Sequence, residues 1–518
     1  MRGRGARMMT LLPSLRTQFA FLAGAATVFG FAPFGAALVP IVTLALLLLL
    51  WQDAETPRLA SGLGFAFGFG LFGTGVSWVY IALNTFGGMP LPVAAVCTAG
   101  FCAYLALFPA AAGWLCTRWT ARRSWQRAIA AAAAWTVMEW LRSSLLSGFG
   151  WLSLGYSQLP GGPLAGYAPV GGVFAISLAA SFIAAALALA VDAFAAAAPR
   201  RALAWLGMVV AIGVQGAVLG LFAWTSPVGE PVMVSLVQGN VTQDVKFDPE
   251  FRPRTFELYT ELVDATRGRL VVLPESAFPV FAGEMPEQVL LDLLRSVVAR
   301  DGDIMVGLFT LEAPLPGHDE PRYYNSVVTL GTAESQLYRK RHLVPFGETI
   351  PLEPLVGWIM RSLLSIPLAS QSSGDPNPPP LAIAGQKVAV NICYEDAFGA
   401  DIRPQAAAAT LLVNVTNDAW YGRSIAAEQH DQIAAMRALE TGRPMLRATN
   451  TGITSAIAHN GREIARLPWF TRGILEVEVT GREGVTPYVR FGDAPAAGLA
   501  ALLLVLAIFA ARQKQTRR

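Results

Sequence analysis

Charge is what this chain has least of. Only 14% of its 518 residues are Asp, Glu, Lys or Arg, while 53% are hydrophobic and mean hydropathy is +0.45. That is too apolar for an ordinary water-soluble protein and points to membrane spans. The net charge of +3 is too small to define a partner, and no basic cluster alternates with aromatics as a nucleic-acid surface would require. Histidine and cysteine are scarce as well, four of each. Cys97, Cys102 and Cys116 lie in apolar stretches, whereas Cys393 lies far away in a polar region. No disulfide framework is legible, and no His/Cys cluster has ligand spacing, so neither a metal site nor a metal cofactor is expected.

What the chain has instead is long apolar runs. They cover residues 17–34, 36–51, 60–83, 91–117, 127–146, 171–197 and 203–224, with a last one at 494–511. The first is followed at once by the second, which argues against a cleaved signal peptide. Each run is near or above the roughly 20 residues that cross a bilayer, which gives about eight spans. Lys and Arg gather at alternate ends: the arginines at 2, 4, 7 and 16, then Arg58, then Arg118, Arg122, Arg123 and Arg127, then Arg200 and Arg201, and finally the basic C-terminus. The intervening short loops, 84–90 and 147–170, hold no Lys or Arg. The positive-inside rule then puts both termini in the cytoplasm and residues 225–493 outside it. Glu139 and Arg142 stand near the outer end of the fifth run, about one turn apart, and are expected to form an interfacial salt bridge. The aromatic, Gly-rich loop 148–156 is expected to lie in the membrane interface.

From Pro231 the texture changes. Short β-rich runs at 232–237, 270–273, 304–309, 325–330, 388–392, 410–415, 445–449, 453–458 and 474–479 alternate with helical stretches at 252–266, 286–300 and 425–440. This mixture predicts an α/β layered domain of about 260 residues. The domains are therefore 1–224 with about seven spans, 225–493 as the α/β domain, and 494–518 as a last span with a tail.

Three strands end at residues able to do chemistry. Residues 388–392 run apolar into Cys393, Tyr394 and Glu395; residues 271–273 run into Pro274 and Glu275; and Tyr338 precedes Lys340. A cysteine at a strand end reads equally well as a packed side chain, a lone glutamate as a turn carboxylate, and Lys340 as part of a basic loop. Together they form a chemically complete set. A thiolate attacks a carbonyl, a glutamate with apolar neighbours and a raised pKa moves the proton, and an ammonium lowers the thiol pKa and steadies the oxyanion.

With these residues in place, the chain resembles the nitrilase superfamily. Over its full length it is similar to the apolipoprotein N-acyltransferase family, through its spans, Gln238-Gly239-Asn240, the run from His342 to Glu348, Cys393-Tyr394-Glu395 and Asn450-Thr451-Gly452. The resemblance implies an αββα sandwich joined to a polytopic helical bundle, with Glu275, Lys340 and Cys393 as the catalytic triad. It also implies Glu348 and Glu395 as accessory glutamates and Tyr394 beside the nucleophile. Phe247 stands where the family often has tryptophan, so a packing role survives but an indole hydrogen bond does not.

The implied activity moves an acyl chain from a glycerophospholipid, by this resemblance phosphatidylethanolamine, through a Cys393 thioester to the α-amine of a diacylated apolipoprotein. The setting would be the bacterial inner membrane, with the catalytic domain on the periplasmic side. Residues 351–367, with Trp358, are expected to form an apolar arm that dips into the outer leaflet, and Asp418–Tyr421, with Trp420, a second lid element that touches lipid. Two other readings remain at this point. A membrane-anchored amidase would hydrolyse a small C–N substrate, and a transporter would carry ionisable residues along its path.

Overall fold

The computed structural model describes residues 13–159, 161–314, 321–349 and 371–516. The chain divides into two compact units. One comprises Met1–Ser77, Ala95–Ala223 and Phe491–Arg518, and the other Trp78–Ala94 and Trp224–Arg490.

The first unit is built from apolar helices: Pro13–Thr27, Leu38–Asp53, Pro57–Gly75, Leu91–Arg118, Trp125–Arg142, Ala168–Ala195, Pro199–Leu219 and Ala494–Thr516. Every expected run thus contains a helix. Among the described residues, however, only four are long and apolar enough to cross a membrane, or five if Pro57–Gly75 and the bent continuation Val79–Phe86 form one span. Leu38–Asp53 has 16 residues, and Trp125–Arg142 carries Arg127, Glu139 and Arg142. Side chains such as Val210, Val214, Leu502 and Phe509 are exposed on these helices, as lipid-facing residues are. Helices Pro13–Thr27 and Pro57–Gly75 pack so closely that a Cβ on Gly24 would strike the backbone of Phe67. Arg127, buried, caps the C-terminal end of Leu38–Asp53 by donating to the carbonyls of Trp51, Gln52 and Ala54 at 3.1, 3.3 and 3.0 Å.

Two expectations change here. Glu139 and Arg142 each have their own partners. Arg142 donates to the carbonyls of Phe149 and Trp151 at 2.6 and 2.7 Å, and Glu139 accepts from Trp135 Nε1 at 2.9 Å and Leu154 N at 2.8 Å. These bonds draw the following loop inward, so Trp151 and Tyr156 are buried against protein instead of exposed on the loop's surface.

Among the described residues the second unit holds fourteen strands: β1 Ser226–Pro227, β2 Val232–Gln238, β3 Leu270–Val272, β4 Asp303–Glu312, β5 Arg322–Gly331, β6 Leu337–Arg339, β7 Leu381–Ile383, β8 Gln386–Ile392, β9 Leu411–Thr416, β10 Met445–Thr449, β11 Ser455–Ile457, β12 Glu463–Arg466, β13 Gly473–Val479 and β14 Arg482–Glu483. Twelve form two six-stranded sheets, ordered β13-β2-β3-β4-β5-β6 and β12-β11-β10-β9-β8-β7, while β1 pairs with β14. Helices Arg252–Asp264 and Glu287–Val298 cover the first sheet through Tyr259, Val263, Leu293 and Val297. Helices Gly399–Ala406 and Ala426–Thr441 cover the second through Ile402, Ala406, Ala434 and Ala438. The sheets meet where β2 approaches β10. The result is a helix–sheet–sheet–helix order in which neighbouring strands run parallel at β2-β3-β4 and at β8-β9-β10. Parallel pairing brings strand C-termini to one edge, where such folds place their ligands.

Candidate active site

Each reactive side chain sits where the backbone leaves a strand. Beyond β8, Cys393 opens a one-turn helix, Cys393–Ala397, with φ of +53°. That left-handed conformation is costly for a residue with a Cβ. The β8–β9 register pairs Ile392 with Val415, which puts Cys393 level with Thr416. Glu275 follows β3, and the next residue, Ser276, also has positive φ, +46°. Lys340 follows β6, its amide bonded to the Asn325 carbonyl at 2.8 Å.

Glu275, Lys340 and Glu348 converge. Lys340, 1% exposed, places its Nζ 3.3 Å from Glu275 Oε1 and 2.7 Å from Glu348 Oε1. Glu348 Oε2 accepts from Val344 N at 2.8 Å, which closes the loop that carries it. Asn325 Nδ2 donates to Glu275 Oε1 at 2.7 Å. Both donors meet Oε1, which leaves Oε2 to receive a proton. Burial alone would lower the Lys340 pKa, but the Glu275 and Glu348 carboxylates outweigh it and hold the ammonium well above its ordinary range. Cys393 shifts up. Burial pushes its thiol well above the ordinary value, the Glu275 charge adds to this, and Lys340 opposes it without prevailing. The lysine does pull the thiol pKa down, as expected, yet burial and the Glu275 charge outweigh it.

Glu395 is buried and accepts four hydrogen bonds: Arg341 N at 2.6 Å and His342 N at 3.0 Å on Oε1, Ile392 N at 2.6 Å and Tyr338 OH at 2.8 Å on Oε2. It ties the turn that carries Cys393 to the segment bearing Lys340. Burial raises its pKa against the pull of those amides. Tyr394 is buried with its ring edge-on to Phe398 at 5.0 Å. Phe247 is half-buried, its ring 5.9 Å from Lys246 Nζ. Trp420 lies on the one-turn helix Asp418–Tyr421 and packs edge-on against Phe86 at 6.1 Å. Trp358 and the 351–367 arm lie outside the described residues.

Comparison with known proteins follows this geometry. Residues 23–186 match the model of the apolipoprotein N-acyltransferase N-terminal domain, and residues 233–488 that of the carbon-nitrogen hydrolases. The apolipoprotein N-acyltransferase of Nitrosomonas europaea is 48% identical over 498 residues, covering 96% of this chain and 98% of that protein. That of Ralstonia nicotianae is 41% identical over 518 residues, covering 97% of this chain and 95% of its own length. The chain belongs to the apolipoprotein N-acyltransferase family.

Two groups in this family member escaped the sequence reading. Asn325 is a polar residue inside a strand, legible only as an odd interruption of β5. The second group is a buried ionic cluster behind Cys393. His430 bonds Asp418 Oδ1 through Nδ1 and Asp396 Oδ1 through Nε2, both at 2.8 Å, while Arg447 Nη1 donates to Asp396 Oδ2 at 2.7 Å. No spacing in the sequence announces this cluster, because its members come from four separate elements.

Proposed function

We propose that this N-acyltransferase works through a thioester on Cys393. Glu275 Oε2 takes the thiol proton as Sγ attacks the ester carbonyl of a membrane glycerophospholipid, phosphatidylethanolamine. Lys340 Nζ stabilises the resulting oxyanion. Collapse breaks the ester bond, and the lysophospholipid alkoxide leaves with the proton from Glu275. The free α-amine of a diacylglyceryl-cysteine then attacks the thioester, gives its proton to Glu275 and expels the thiolate, which takes that proton back. The products are an N-acylated lipoprotein and the starting enzyme. Glu348 holds Lys340 in place, Glu395 and Tyr394 fix the nucleophile's turn, and Phe247 and Trp420 line the path of the acyl chain.

The observation that carries this reading is the convergence of Glu275, Lys340 and Glu348 beside a buried thiol that feels both the glutamate and the lysine. A thiol kept protonated and dry suits transfer, since a thioester open to water would hydrolyse. The charge pattern supports eight spans, cytoplasmic termini and a periplasmic catalytic domain from 225 to 493, where acceptor lipoproteins would be met. An amidase acting on a small soluble substrate would need one anchor at most.

The test is mass spectrometry of the purified protein after incubation with phosphatidylethanolamine and no acceptor. The expected result is an acyl group on Cys393 that hydroxylamine removes, that Cys393→Ala lacks, and that a diacylglyceryl-peptide discharges. An unmodified Cys393 with no lysophospholipid released would overturn the proposal.

A further inference from the structure

Lys246 ends the short helix Gln243–Lys246, and its side chain is only 2% exposed. Lysine is almost never buried to that degree without a carboxylate. Among the described residues none lies within ion-pair distance of it; its Nζ donates to the backbone carbonyl of Glu275 at 2.9 Å and faces the Phe247 ring at 5.9 Å. An ammonium has three donors, so two of its N–H groups await an acceptor. The charge on Lys246 also interacts with Glu275 and Cys393, so it reaches the reacting centre.

The ionic balance of that centre shows what is missing. Glu275 and Glu348 bring two negative charges and Lys340 one positive, with Lys340 already engaged by both carboxylates. Glu395 spreads its charge over three backbone amides and Tyr338. Asp418 is matched by His430 and Arg447. Around Cys393 one cation is lacking, and Lys246 supplies it. When the proton passes from Sγ to Glu275, negative charge moves from the carboxylate to sulfur and then to the carbonyl oxygen under attack. Lys340 remains drawn to Glu348, whereas Lys246 has donors to spare.

We propose that Lys246 is a further catalytic residue, a second cation that stabilises the thiolate and the oxyanion at Cys393. This rests on the thioester reading above. The alternative role for the side chain is an anchor for the Glu275 backbone, and three variants separate the roles. Lys246→Gln keeps a donor for the carbonyl and loses the charge; Lys246→Met loses both; Lys246→Arg keeps the charge.

Two quantities are read on the full-length protein in detergent micelles. One is the rate of Cys393 alkylation by iodoacetamide at pH 7, below the Lys246 pKa of about 8, followed on the Cys393 peptide. The other is the single-turnover rate of Cys393 acylation by phosphatidylethanolamine. Loss of one preorganised oxyanion donor slows catalysis about 10²- to 10³-fold. Both uncharged variants should therefore lose about a hundredfold in acylation and about tenfold or more in the alkylation rate at pH 7, and Lys246→Arg should restore most of both. If Lys246→Gln acylates within about threefold of wild type at pH 7 with an unchanged alkylation rate, the side chain is an anchor and the proposal is overturned. A wild-type Cys393 that never takes an acyl group would overturn the thioester reading itself, a result distinct from normal acylation in the variants.

Discussion

His430 offers a test of the buried ionic cluster that needs no substrate. It lies on helix Ala426–Thr441, enclosed between Asp396 and Asp418 at 2.8 Å each, with Arg447 bonded to Asp396 at 2.7 Å and Asp431 lying 3.7 Å from Arg447 Nε. Burial alone would lower the imidazole pKa. Asp396 and Asp418 outweigh both that and the Arg447 charge and carry it to about 9. The unfolded value is near 6.5, and each pH unit of difference is worth about 1.4 kcal/mol, so the charged histidine contributes about 3 kcal/mol. Because the folded pKa is the higher one, this stabilisation is complete below about pH 6.5 and is lost as pH rises through about 9. Lys246 acts in the opposite sense. Burial lowers its pKa to about 8, so the folded state sheds a disfavoured charge above that pH and gains stability up to about 10.5. Asp431, raised to about 6 chiefly by burial, titrates below the window. The comparison of wild type with His430→Gln therefore isolates the histidine. At pH 6.5 the variant should melt lower, and the stability gap should narrow by about 3 kcal/mol by pH 9.5, equivalent to about 6–12 °C in Tm for a unit of this size. The assay is thermal unfolding of the full-length protein in detergent, followed by tryptophan fluorescence across that pH range. A gap that stays constant from pH 6.5 to 9.5 would refute the charged bridge.

Glu348→Gln removes the carboxylate 2.7 Å from Lys340 and lets the ammonium fall entirely on Glu275, weakening the base. A hydrogen bond to a charged group is worth about 1.5–3 kcal/mol, so single-turnover acylation of Cys393 should slow about 10- to 150-fold, and an unchanged rate would sink the account of Lys340. Glu395→Gln sets an amide NH₂ against a site already filled by three backbone N–H donors and the Tyr338 hydroxyl. It should cost about 1–3 kcal/mol or more, read as a lower Tm together with a loss of site-specific Cys393 acylation; a variant as stable and as fast as wild type would contradict the linkage drawn here.

How far the sequence goes depends on how local each signal is. The ends of β3 and β8 are legible because an apolar run stops abruptly at Glu275 or Cys393, and a strand end at a sheet edge is where side chains reach a cleft. The three short strands β6, β7 and β12, three or four residues each, escape because a run that brief has no period to read. Helix Gly399–Ala406 escapes because Pro404 interrupts its pattern. Among the described residues four or five helices, against eight apolar runs, are long and apolar enough to span, partly because Leu38–Asp53 has only 16 residues. Lys246 is invisible for a different reason. Beside Gln243 and Asp244 it looks like a solvated helix end, and only the fold seals it against Glu275.

The left-handed backbone at Cys393 brings these strands of argument together. Holding a residue with a Cβ at φ of +53° costs roughly 1–2 kcal/mol, and such strain persists only where its surroundings over-determine it. Here they do. Ile392 N, just before the nucleophile, is bonded to Glu395 at 2.6 Å, and Asn414 Nδ2 donates to the Cys393 carbonyl at 3.1 Å from the neighbouring strand. The same Glu395 side chain accepts from Arg341 and His342, directly after Lys340. One carboxylate therefore fixes the strained turn that presents the thiol and also the distance from that turn to the lysine. Glu275 and Glu348 are left to set the charge on Lys340, free of any structural duty toward Cys393. On the thioester mechanism proposed above, a site arranged this way disfavours the thiolate and holds Cys393 in position until an acyl donor arrives. A two-step transfer needs that order of events, because the thiolate is then formed only where an ester carbonyl is ready to receive it.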